Sequence, residues 1–100
     1  MNNKELEKHI IQNYKNKEKM MILIYAQWCI NNDLDPIDLY KEAYPNQIDN
    51  EALTEAMDLT VSKNESEHID HQTVLHALQL FGNDDLAFIV QEKVEQRMGL

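Results

Sequence analysis

Residues 20–30 read MMILIYAQWCI, and this stretch decides the fold. All of its side chains except Gln27 are apolar or aromatic, so a helix formed here is apolar on every side. A surface helix avoids that pattern, whereas a helix enclosed by other helices requires it. Eleven residues are too few for a transmembrane helix, which needs about 20. We therefore predict a central core helix over Met20–Ile30.

The composition favours helices throughout the chain. Only two glycines and two prolines interrupt 100 residues, whereas an all-β domain needs a turn signal about every 8–12 residues. Helix-forming Leu, Ile, Met, Ala, Glu, Gln and Lys are abundant. We predict an all-α fold, a compact bundle of five or six short helices around the central one, forming a single domain over residues 1–100.

A short amphipathic helix is predicted before the central one. Leu6, Ile10, Ile11 and Tyr14 repeat at helical spacing. The polar run that follows either turns the chain or continues the helix, and we favour a turn near Asn16. The Asn31-Asn32-Asp33 segment is expected to end the central helix.

Capping residues mark the helices of the middle of the chain. Asp35-Pro36 predicts a helix start, and Pro45 predicts its end. Asp49 or Asn50 is expected to cap the next helix. The predicted inward stripes of these two helices are Ile37, Tyr40, Ala43 and Tyr44, and then Leu53, Ala56, Met57, Thr60 and Val61.

The last third of the chain predicts a helical hairpin after a polar connection. Ser62–Glu67 is expected to be the longest and most mobile connection. Asp70 is the expected cap of one helix, and Gly82 is the expected left-handed stop before a helix that begins at Asn83. The predicted stripes are Val74, Leu75, Leu78 and Phe81, and then Leu86, Ile89, Val90, Val94 and Met98.

The charge balance argues against nucleic acid as a partner. The chain carries a net charge of −9, and an acidic surface repels phosphate backbones. If the last two helices formed a helix-turn-helix, the recognition helix would begin with Asn83-Asp84-Asp85. Its carboxylates would then lie where the contacts to DNA bases should be. The imbalance is uneven, since residues 1–20 carry plus two and residues 21–100 minus eleven. Two faces of opposite sign are therefore expected.

The cysteine content predicts a cytoplasmic protein. A lone Cys29 forms no internal disulfide, and the sequence contains no secretion-signal pattern. Together with the absence of an apolar stretch of transmembrane length, this predicts no membrane association.

One cluster of residues has the chemistry of metal ligands. Its members lie between positions 65 and 76: Glu65, Glu67, His68, Asp70, His71 and His76. His71 and His76 are five residues apart and so point about 140° away from each other on a helix. Paired helical ligands are instead four residues apart. We interpret these residues as solvated cap and loop residues, and metal binding through the His68/His71 region remains the alternative.

The sequence offers no catalytic residues and implies no cofactor. Cys29 lies late in an apolar helix, where a buried inert thiol is expected, and His9 is expected to be exposed. Asp84-Asp85 fits the acidic first turn of a helix. A glycine-rich phosphate loop and a zinc-protease motif are both absent from the sequence. We therefore predict that the protein is not an enzyme.

By elimination, the sequence favours a non-catalytic protein–protein interaction or regulatory module. An acidic helical surface is suited to a protein partner with a basic surface. The alternatives are the metal-binding protein described above and a structural, self-associating bundle. A homodimer is expected if the first helix packs on a second copy, because its lysines would then lie beside the acidic residues 21–100 of that copy.

Overall fold

A computed structural model describes the backbone of residues 3–47 and 50–98 and the side chains of residues 17–47 and 50–97. Within these ranges the chain forms five α-helices and no strand, which confirms the all-α prediction. The helices are α1 (Asn3–Asn31), α2 (Pro36–Ala43), α3 (Glu51–Leu59), α4 (His71–Leu80) and α5 (Asp84–Met98).

The predicted turn near Asn16 is wrong, because α1 is one continuous helix of 29 residues. The polar run over residues 15–19 holds three lysines and a glutamate but neither glycine nor proline. These residues propagate a helix that has already been nucleated. The predicted end of the helix is confirmed: Asp33 has a φ of 58°, and the Leu34 N–H donates to the Cys29 carbonyl at 2.8 Å.

The predicted caps of α2 and α3 are confirmed. The Asp35 carboxylate accepts from the amides of Ile37 and Asp38, and the Asn50 side chain accepts from those of Ala52 and Leu53. Each cap satisfies amides that have no partner inside the helix.

The predicted stripes of α2 and α3 need correction. Ile37 is 37% exposed, and Leu39 is the leucine that α2 buries. Because α2 packs against both α1 and α5, the contact covers more than one narrow stripe. Helix α3 ends at Leu59, so Thr60 and Val61 lie beyond it, and Val61 is 42% exposed.

The α4–α5 hairpin forms as predicted. Gly82 has a φ of 73°, a conformation that glycine adopts without the steric cost of a Cβ. The Asn83 N–H donates to the Leu78 carbonyl at 2.9 Å, which closes the end of α4. Both predicted stripes face the core or its edge, except for Met98, whose side chain lies outside the described residues.

The core surrounds the second half of α1, which confirms the central-helix prediction: Met21, Ile22 and residues 25–29 are buried, and Leu23, Ile24 and Ile30 are half-buried. Trp28 and Tyr25 are the largest fully buried side chains. Each has a hydrogen-bond partner for its polar atom: the Tyr25 hydroxyl donates to the Pro36 carbonyl at 2.6 Å, and the Trp28 indole donates to His71. The prediction is wrong for Met20, which is 64% exposed.

Candidate protein-binding surface

Gln27 attaches the α3–α4 connection to α1. Its side-chain amide donates to the Val61 carbonyl at 2.9 Å and accepts from the Val61 N–H at 2.9 Å. The same amide also donates to the Asn31 side chain. A buried amide inside an apolar helix must have its hydrogen bonds satisfied, and here they are satisfied by the backbone of the connection.

Three further interactions hold this connection against the end of α1 and the turn that follows it. Asn31 donates to the Ser66 hydroxyl at 3.1 Å and to the Glu67 carbonyl at 3.3 Å. The Lys63 ammonium lies 3.0 Å from the Asp33 carboxylate. The segment from Thr60 to Asp70 is the longest connection among the described residues, as predicted. Its greater mobility stays a prediction, and these bonds argue against it.

Exposed and half-buried apolar side chains lie on the two segments that meet at Gln27. On α1, Met20, Leu23 and Ile24 share one helical face with Gln27, because they precede it by seven, four and three residues. Gln27 holds Val61 against that face, and Leu59 is the last residue of α3. We call these five apolar residues, Met20, Leu23, Ile24, Leu59 and Val61, the outer face.

The outer face is substantially open to solvent. Leu59 is 67% exposed, Met20 64% and Val61 42%, while Leu23 and Ile24 are half-buried. Single exposed apolar side chains are ordinary, but a group of them on adjoining elements is typical of an interaction site.

Acidic side chains flank Leu59, the α3 member of the outer face. Glu55 precedes Leu59 by four residues on α3, so the two share a side of that helix, and Asp58 adjoins Leu59. Both carboxylates are exposed. The patch therefore combines apolar side chains with a charged rim, acidic beside Leu59 and basic beside Met20, where Lys17 and Lys19 are exposed, as at many polar-rimmed interfaces.

The residues considered as alternative metal ligands are not gathered into a site. The His68 ring lies 3.1 Å from the Asp70 carboxylate, and both side chains are largely exposed. Asp70 occupies the predicted cap position of α4, but its side chain makes no capping hydrogen bond. Across the described ranges, no three or more His, Cys, Asp and Glu side chains come together as a possible metal site.

His71 is bound to the core rather than to its neighbours in the cluster. Its Nδ1 accepts from the Trp28 indole N–H at 3.0 Å, and the two rings meet edge to face with centroids 5.6 Å apart. One ring nitrogen is thereby occupied by a structural hydrogen bond. His76 lies on the exposed side of α4.

The other residues considered for chemistry have structural surroundings. Cys29 is fully buried, and burial raises the pKa of its thiol to about 12. Asp84 and Asp85 occupy the first turn of α5, as the capping interpretation predicts. The side chain of His9 lies outside the described residues.

An open acidic groove of about 700 Å³ lies between the start of α2 and α5. Three of its carboxylates already have partners: Asp33 pairs with Lys63, Asp35 caps α2, and Glu42 lies 3.5 Å from the Lys93 ammonium. These contacts make the groove a weaker candidate for a ligand than the outer face. None of the helices in the part of the chain that the structure describes combines the length and apolarity needed to cross a bilayer.

Sequence reasoning missed the outer face for two identifiable reasons. It assigned Met20 to the core because the apolar run begins there, and it assigned Val61 to the inward stripe of α3. The informative signal was Gln27, the one polar residue in the run, since a buried amide predicts a bonded partner from another segment.

Comparison with known proteins identifies the family. The YxiS family model matches residues 2–95. A relative from Bacillus subtilis (strain 168), described as uncharacterized protein YxiS, is 51% identical over 92 residues, which cover 91% of this chain and 96% of the relative. Neither description names an activity, a substrate or a ligand. No solved structure matches. The chain belongs to the YxiS family.

Proposed function

We propose that this protein is a non-catalytic protein-binding module and that the outer face is its binding surface. The observation that carries the proposal is the exposure of Met20, Leu59 and Val61 on adjoining segments. A partner covering them removes apolar area from water, which is the main favourable term in most protein associations.

The carboxylates beside Leu59 favour a partner with basic residues at that edge of its contact. Glu55 and Asp58 are exposed and flank Leu59 on α3, and the whole chain carries a net charge of −9. Opposite charges at an interface edge speed association and select among partners. The same charge disfavours nucleic acid as the partner.

The absence of a catalytic activity is part of this proposal. The side chains best suited to chemistry have structural roles, because the Cys29 thiol is buried and His71 accepts from Trp28. The proposed location is the cytoplasm, where an unpaired cysteine stays reduced.

Photo-crosslinking in living cells tests the binding surface. A photoreactive amino acid replaces Leu59 in one variant and Phe88 in the control, since Phe88 is 65% exposed on α5. We expect one dominant protein adduct at position 59 and none at position 88. The crosslinked peptide, identified by mass spectrometry, should contain basic and apolar residues. Equal adducts at both positions, or none at position 59, would refute the proposal.

A further inference from the structure

The described side chains just before the buried section of α1 are open to solvent. Lys17, Glu18, Lys19 and Met20 are all exposed, and the buried section of the helix begins at Met21. A helix of 29 residues is about 43 Å long, and the molecule measures 55 × 32 × 24 Å. Its radius of gyration of 15.0 Å exceeds the roughly 13 Å expected of a compact 100-residue domain. We call residues 3–19 of α1 the arm.

An arm of this kind needs a surface to pack against. The arm continues a helix whose second half is packed in the core, but most helices in proteins owe their stability to the packing of an apolar face. The sequence supplies one, since Leu6, Ile10, Ile11 and Tyr14 repeat at helical spacing. The side chains of these four residues lie outside the described ones; among the side chains that the structure describes on α1, which begin at Lys17, the core-packed section starts at Met21.

The outer face and the arm are related by a heptad-like spacing along α1. From Ile24 to Met20 is four residues, and further steps of three or four lead to Lys17, Asn13, Ile10 and Leu6. Positions spaced in this way form the contact line between two paired helices. Two antiparallel copies of α1 related by a two-fold axis near residue 15 pair position 10 with position 20, and position 6 with position 24. Apolar residues then meet apolar residues, while Asn13 and Lys17 meet near the axis.

The charges favour the same pairing. Residues 1–20 carry plus two and the rest of the chain minus eleven. The antiparallel arrangement places each lysine-bearing arm beside the outer face of the other copy, whose edge carries Glu55 and Asp58. A two-fold contact uses the same surface on both copies, so it satisfies both arms and both outer faces at once.

We infer that the partner of the outer face is the arm of a second copy of this chain, joined to it as an antiparallel α1–α1 dimer. This inference rests on the proposed function, because it names the occupant of the same surface. It also accounts for a positively charged first segment on an otherwise acidic protein.

Light scattering on the purified full chain over a range of concentrations tests the dimer. We expect the mass to rise from the 11.8 kDa of one chain to twice that value at high micromolar protein. M20E should be monomeric at all concentrations, because it places a charge opposite Ile10 of the second copy. L80E carries the same charge change at a position on α4 that is 70% exposed, and it should dimerise like the unmodified chain.

A charge-swap variant tests the register of the pairing. In I10K/M20E the introduced lysine of each copy faces the introduced glutamate of the other, so the dimer should return. I10K/L80E should stay monomeric. Circular dichroism checks that every variant keeps its helical content, and I10E serves as a second disruptive variant.

The outcomes separate this inference from the proposed function. A monomeric mass at every concentration, or a dimer that persists in M20E, overturns the α1–α1 pairing. If the photoreactive residue at position 59 nevertheless captures a different protein in cells, the outer face remains a binding surface. If it captures no protein and the chain is monomeric, both proposals are wrong.

Discussion

Gln27 and Val61 exchange two hydrogen bonds of 2.9 Å, one in each direction between a side-chain amide and a backbone peptide group. The Gln27 side chain thereby satisfies both backbone polar groups of Val61, its N–H and its carbonyl, as a neighbouring strand would in a sheet. The bonds hold Val61 on the α1 face that carries Met20, Leu23 and Ile24. The position of Val61 in the outer face therefore depends on Gln27, the one polar residue in the apolar run over residues 20–30.

Replacing Gln27 with leucine should destabilise the fold without abolishing it. Leucine is of similar size but leaves the Val61 N–H and C=O without their protein partners. Leaving such groups unsatisfied costs about 1–3 kcal/mol when water cannot reach them, and the 42% exposure of Val61 places the expected loss towards the lower end. Urea unfolding measures it. Q79L is the matched control, because Gln79 lies exposed on α4, and a loss of stability equal to that of Q27L would contradict this role for Gln27.

Removing the His71 ring should affect the core through Trp28. H71A leaves the indole N–H of a side chain that is 1% exposed without its acceptor, a loss of about 1–3 kcal/mol. W28A should cost more, about 3–5 kcal/mol, because it also opens a cavity. H68A is the control, since that exposed ring pairs only with Asp70. Trp28 is the single tryptophan, so its fluorescence reports unfolding, and equal stability of H71A and H68A would count against the account.

Alkaline pH should weaken the fold. Burial raises the pKa of the Cys29 thiol from its ordinary value near 9 to about 12 and also raises the pKa of Tyr25. Below pH 9 both groups are neutral in the folded and unfolded chain, so their contribution to stability is complete. As the pH rises from 9 towards 12, the unfolded chain loses these protons first, and the free energy of unfolding falls.

Chemical denaturation at pH 7, 9 and 10.5 measures this effect. C29A should lose less stability between pH 7 and pH 10.5 than the unmodified chain does, because the buried thiol is gone. A stability that is flat over this range, or a C29A profile identical to that of the unmodified chain, is the contrary result. Thiol labelling at pH 8 gives a second readout, since the neutral buried thiol should react only after denaturant is added.

Zinc should not stabilise the folded protein. The His71 Nδ1 is occupied by the Trp28 indole, and His68 and Asp70 alone supply too few ligands for the four-coordinate site that structural zinc requires. A ligand that binds only the folded state raises the melting temperature. We therefore expect the same melting temperature with and without a stoichiometric zinc excess. A rise that disappears in H68A would establish the site.

The boundaries of most helices could be predicted from single residues. Asp35 and Asn50 offer side chains that accept from free amides, and Gly82 adopts the left-handed conformation, so each marks a boundary by local chemistry. The turn near Asn16 was predicted wrongly because a run of lysines is compatible with both a loop and a solvated helix. The spacing of apolar residues cannot distinguish a helix from a loop where every side chain is polar.

The candidate site could be predicted only in part. The apolar residues on every side of Met20–Ile30 predicted that other helices pack around it. They could not predict which side of this helix stays exposed to solvent, because that depends on where α3 and α4 pack. Val61 repeats in step with Leu53 and Met57, although α3 ends at Leu59. The end of α3 and the bonds to Gln27 are tertiary features, and no local pattern around Val61 reports them.

Hydrogen–deuterium exchange of the arm tests most directly whether it is covered by a second copy. In the proposed dimer the amides of residues 8–16 belong to a packed helix, whereas in the monomer they belong to a helix end that no second copy covers and that opens readily. We expect these amides to exchange slowly at high micromolar protein, quickly at low micromolar protein, and quickly at both concentrations in M20E. Exchange in this segment that is independent of concentration and unchanged by M20E would contradict the docking of the arm on the outer face.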